Sequence, residues 1–130
     1  MNVLLFLWEL PQNILGLALW GCTRRRIRSV ERKQGRLFLH APFGISLGYF
    51  VFWCAWGEEG KRIRRHEYGH TFQSRLLGPF YLLLVGVPSV SRGVYSLFHR
   101  LLTGRYWQGY YRGYPERWAD ELAAGRPEEI

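Results

Sequence analysis

The stretch "LFLHAPFGISLGYFVFWCAWG", residues 37–57, decides how this chain folds. It carries no Asp, Glu, Lys or Arg and is long enough to cross a bilayer, for which about 20 apolar residues suffice. Three features argue for strands instead. Pro42, Gly44 and Gly48 punctuate one end as turn residues. "YFVFW" is aromatic and β-branched, the composition of a strand. A span would also place the basic clusters at 24–36 and 61–65 on opposite sides of the membrane, against the positive-inside tendency. The expectation is a β-hairpin over 26–56, with strands near 26–40 and 48–56 and the turn at "APFGISLG".

Helices are expected on either side of it. Residues 3–20, "VLLFLWELPQNILGLALW", are apolar with a polar centre that hydrocarbon would penalise. Pro11 starts or kinks a helix there, and the segment is expected to lie against a membrane interface or the rest of the fold. Residues 60–77 read as a helix with Glu58 and Glu59 at its positive end, stopped by Gly78 and restarted by Pro79. Residues 79–102 form an apolar helix broken at Pro88, its first half buried or facing lipid. After a glycine- and tyrosine-rich loop, a last helix covers 115–124, ended by Gly125 and Pro127, with a frayed "RPEEI" tail. The fold class is α+β: one minimal domain over 1–130, with a small β-hairpin or three-stranded sheet packed by about four helices.

The formal net charge is +8 and is unevenly placed. Arg24, Arg25, Arg26, Arg28, Arg32, Lys33 and Arg36 stand almost unopposed, and Lys61, Arg62, Arg64 and Arg65 follow. The expected partner is an anionic membrane surface on the cytoplasmic side, with a soluble cytoplasmic protein as the alternative. Nucleic acid is not expected, because no helix-turn-helix, zinc-finger or RNA-module signature accompanies the charge. Cys22 and Cys54 form no CxxC pair and are read as free thiols.

The helix at 60–77 contains "HEYGH", His66 to His70. Residues four apart share one helix face, so both imidazoles can reach one Zn²⁺. Glu67 lies about 100° around the helix and sits beside the metal, where it can take a proton from water. A bare five-residue motif is also compatible with an ordinary surface helix. Gly69 within the helix costs about 1 kcal/mol relative to Ala, which a close approach by a neighbouring strand would justify. Gln73 and Ser74 could hydrogen-bond across the site or close the helix end, and the second is expected.

A catalytic zinc ordinarily takes three protein ligands. The HExxHxxGxxH pattern is excluded, since Gln73 and Leu76 stand where it needs Gly and His. His99 has no companion signature. "PERWADEL", Pro115 to Leu122, offers Glu116 and Asp120 on one helix face. Glu116 can complete a His-His-Glu site, and Asp120 can accept a hydrogen bond from the outward N–H of a ligand histidine. Alone, Glu116 would read as a carboxylate at a helix N-terminus.

HExxH followed by a helix carrying ExxxD resembles the gluzincin pattern of thermolysin-like metallopeptidases. The form with Ala119 before Asp120 is similar to the membrane-associated CAAX-prenyl and heat-shock metallopeptidase group. The resemblance covers two short helices. It implies Zn²⁺ held by His66, His70 and Glu116, with Glu67 as general base and Asp120 orienting a ligand. The expected activity is zinc-dependent hydrolysis of a peptide or protein substrate. Tyr110, Tyr111, Arg112 and Tyr114 are candidate donors to the developing oxyanion, because their loop leads into Glu116. "YFVFW", read as an edge strand, could add a substrate backbone as a further strand or be only core. Two other readings stay open: a non-catalytic zinc-stabilised adaptor at the membrane, and a metal-free basic membrane- or nucleic-acid-binding module.

Overall fold

The computed structural model describes residues 1–126; Pro127 and the rest of the C-terminal tail lie outside them. The fold is α+β. Helices α1 (Val3–Trp8) and α2 (Leu10–Thr23) precede four strands, β1 (Ser29–Lys33), β2 (Arg36–His40), β3 (Ile45–Leu47) and β4 (Phe50–Trp53). Helices α3 (Gly57–Leu77), α4 (Val87–Thr103) and α5 (Glu116–Ala124) follow, with a 3₁₀ turn at Gly78–Phe80 and a π-helical stretch at Leu82–Gly86 before α4.

The strands form one mixed sheet in the order β1-β2-β4-β3. This corrects the single hairpin read from the sequence. The 26–40 segment is itself a hairpin, turned at Gln34-Gly35 with both φ positive, the geometry that matches strand twist in two-residue turns. "APFGISLG" is not a turn. It contains β3, which pairs antiparallel to β4, while β4 runs parallel to β2. Strand β4 is therefore central, and the free edges belong to β1 and β3, so "YFVFW" cannot accept an added strand.

Both faces of β2 and β4 are covered, which is why their sequence is a continuous apolar run rather than an alternating one. Phe38, Val51 and Trp53 pack on one face with Tyr68 and Phe72 of α3. Leu39, Phe50 and Phe52 pack on the other with Phe6, Leu19 and Trp20 of α1 and α2. The polar centre of the N-terminal segment is turned inward. Glu9 and Arg36 form a buried two-pronged ion pair at 2.8 and 3.2 Å. Gln12 donates to the Ser74 hydroxyl and the Gly78 carbonyl, and Asn13 accepts from the Tyr49 amide at 2.7 Å.

Pro11 and Pro88 each sit in the first turn of a helix, α2 and α4. The first half of the 79–102 segment, expected to be buried or to face lipid, buries Tyr81 and Val85 and leaves Phe80, Leu83, Val87 and Val90 exposed; no residue of α4 is buried. Among the described residues, no helix is long and apolar enough to cross a membrane. Cys22 and Cys54 are unpaired thiols.

Candidate metal centre

Helix α3 presents His66 and His70 one turn apart, and α5 crosses it to bring Glu116 between them. Glu116 Oε2 lies 2.8 Å from His66 Nε2 and 3.1 Å from His70 Nε2. All three side chains are buried, and their possible ligand atoms lie within 4.8 Å of one another. The crossing is close because two small residues meet. A Cβ built on Gly69 would fall 2.0 Å from the Ala119 carbonyl oxygen. The neighbour that explains Gly69 is thus a helix and not the strand anticipated.

The outer ring nitrogens settle the tautomers. His66 Nδ1 donates to Asp120 Oδ1 at 2.7 Å, since a carboxylate can only accept. His70 Nδ1 lies 2.6 Å from Gln73 Oε1, whose amide is oriented by Nε2 donating to the Pro115 carbonyl at 2.9 Å. Gln73 is therefore not a helix-end residue. It fixes the second histidine, and Ser74 accepts from Gln12. The sequence offered one signal for Gln73: it lies one turn below His70 on the same helix.

With both Nδ1–H bonds committed, each neutral ring turns a lone pair toward the same Glu116 oxygen. Three electron-pair donors then converge with no proton among them, and such a cluster needs a cation. Glu116 Oε1 also has no hydrogen-bond partner although it is buried. This donor set fits a divalent metal: His66, His70 and Glu116 could hold a metal ion. Without one, a proton takes its place. Burial opposes charge on His66, but hydrogen bonds to Asp120 and Glu116 raise its pKa to about 10. Glu116 is likewise held well below the carboxylate range by the two histidines, against the effect of burial.

Glu67 shares a groove with His70. A Cβ on Gly44 would lie 2.9 Å from Glu67 Oε1, so the glycine leaves room for the carboxylate. That groove has a volume of about 780 Å³. Leu15 and Leu19 of α2 and Val87, Val90 and Val94 of α4 line it as well. Burial raises the pKa of Glu67, partly offset by His70 and His66.

The tyrosine loop divides. Tyr110 lines the groove beside Glu67 and His70, and burial pushes its phenol up, so that it remains a donor. The Tyr111 ring meets His66 edge-on at 4.9 Å, with the Arg62 guanidinium 5.2 Å from its centre. Tyr114 donates to the Leu84 carbonyl instead, and Arg112 is exposed; neither is brought to the histidines. The tyrosine after "GY" and the one after "RG" look alike in sequence, and only the 3₁₀ turn at Tyr110–Arg112 separates them.

The arginines ahead of the motif serve the fold. Arg64 is buried, bonds Glu31 at 2.9 Å, and lies over Phe38 and Trp53. Arg65 reaches the Ala123 and Ala124 carbonyls at the end of α5. Comparison with protein-family models, with curated proteins and with solved structures found no match.

Proposed function

We propose that this chain is a small zinc-dependent peptidase of gluzincin type. The observation that carries the reading is the convergence of His66 Nε2, His70 Nε2 and Glu116 Oε2 beside a Glu67 carboxylate that faces an open groove. Two imidazoles and one carboxylate are the donor set of hydrolytic zinc sites with an open position. When bound, zinc polarises the scissile carbonyl and lowers the pKa of water.

The chain's own groups do the rest. Glu67, its basicity raised by burial, takes a proton from the attacking water and passes it to the leaving amine. Asp120 and Gln73 hold the two imidazoles in one tautomer. Tyr110, which lines the same groove, would donate to charge developing on the carbonyl oxygen. The groove walls are aliphatic and suit a substrate segment with apolar side chains.

The test is Glu67→Gln, assayed on a mixed peptide library with metal content measured in parallel. Retained metal with lost hydrolysis supports the role of base. Unchanged turnover removes Glu67 from it.

A further inference from the structure

Helices α1 and α2 turn polar residues inward and, apart from Phe6, Leu19 and Trp20 on the sheet, many apolar residues outward. Glu9, Gln12 and Asn13 are buried, while Leu4, Leu7, Ile14 and Leu17 are exposed, Leu4 by 77%. The segment after α3 also exposes apolar side chains. Phe80, Leu83, Val87, Val90 and Leu101 are all more than half exposed, Leu83 by 67%.

The two strips are neighbours. The Trp8 ring sits on Gly78, its indole N–H donates to the Arg75 carbonyl at 3.0 Å, and α2 and α4 wall the same groove. Together they form an apolar surface far more continuous than the scattered exposed leucines of ordinary proteins.

The charge pattern says what covers it. No acidic residue occurs between Glu9 and Glu31, or between Glu67 and Glu116. Within those intervals lie Arg24, Arg25, Arg26 and Arg28 at the end of α2, and Arg92, Arg100 and Arg105 along and after α4. Arg24, Arg25, Arg26, Arg28, Arg100 and Arg105 are exposed. A second copy of the chain docking by the same patch would bring these cations against each other across a two-fold axis. An anionic bilayer offers hydrocarbon to the leucines and phosphate to the arginines at once.

We infer that this face docks in the plane of an anionic membrane interface, with α1, α2 and α4 lying on the bilayer and the arginines among its headgroups. Among the described residues no helix is long and apolar enough to cross, so in this pose the helices lie flat. The groove lined by Glu67 and His70 then opens toward lipid. The inference is independent of the metal and of hydrolysis.

Flotation of the full chain with vesicles tests it, comparing phosphatidylcholine alone with phosphatidylcholine plus phosphatidylglycerol. The wild type should float with the mixed vesicles, and less as salt rises. Leu17→Glu with Leu83→Glu changes two exposed positions outside the groove walls. It should abolish flotation while leaving the melting temperature and metal content unchanged. Arg24→Ser with Arg26→Ser should weaken binding to the mixed vesicles roughly 30-fold, about fivefold per arginine, and leave binding to phosphatidylcholine alone unaltered. Three results would overturn the inference: no flotation of the wild type, flotation of the glutamate variant equal to wild type, or a wild-type dimer that the glutamate variant splits.

Discussion

Gly69 and Ala119 meet backbone to backbone, so closely that a methyl group on Gly69 would overlap the Ala119 carbonyl oxygen at 2.0 Å. This contact sets the distance between α3 and α5, and through it the reach of Glu116 to both histidines. Gly69→Ala gains about 1 kcal/mol of helix propensity but forces the helices apart, and overpacking of this kind typically costs about 1–3 kcal/mol. The expected net outcome is a lower melting temperature and weaker metal retention. Melting curves with and without chelator check both.

Gln73 and Asp120 do not reach the shared Glu116 oxygen, yet each holds a ligand ring through its Nδ1–H. Loss of such partners typically weakens metal binding about 10- to 100-fold. Gln73→Leu and Asp120→Ala should each fall in that range. The double variant should lose more than either alone, as read by competition with a zinc chelator of known affinity.

The buried pair Glu9–Arg36 ties α2 to the sheet, and Arg36 also donates to the Thr71 carbonyl at 3.3 Å. Glu9→Gln leaves the guanidinium buried without its counter-charge, a loss of about 3–5 kcal/mol. Replacing both, as Glu9→Leu with Arg36→Met, should recover much of that. Urea unfolding of the two variants separates a broken pair from a replaced one.

Acid should loosen the attachment of α3 to β1. The hydrogen bond from Arg64 lowers the pKa of Glu31 below its ordinary 4.5, although partial burial works the other way. A lowered folded value means the stabilisation is fully present above about 4.5. It is lost as pH falls through the folded value. Glu31→Gln should therefore flatten the fall in stability below that pH and be nearly silent at neutrality. Melting temperatures across an acid series show this.

Much of the site was legible in the sequence because it is written in helical spacing. His66 and His70, then Glu116 and Asp120, each lie four apart, and the α3–α5 crossing supplies the rest. A hydrogen bond from Gln73 across the site ranks below helix capping in the sequence, because a glutamine one turn past a motif carries no chemistry of its own; its role comes from the Pro115 carbonyl, a long-range contact. The sheet was only half legible. Gln34-Gly35 lacks the Asn or Asp that usually announces a two-residue turn, so one hairpin looked like a single strand. Parallel pairing of β2 with β4 leaves no local trace. The inverted burial of α1 and α2 was hidden for a related reason: Glu9, Gln12 and Asn13 read as a polar interruption until their partners Arg36, Ser74 and Tyr49 are known.

Metal content measures most directly whether His66, His70 and Glu116 hold a metal ion. The chain should be purified without added metal, then dialysed against substoichiometric chelator and analysed by elemental mass spectrometry beside His70→Ala. The account predicts about one equivalent of zinc per wild-type chain, consistent with a single three-ligand site, and almost none in His70→Ala with the fold retained by circular dichroism. A folded wild type that holds no stoichiometric metal, before or after zinc is supplied, would contradict it.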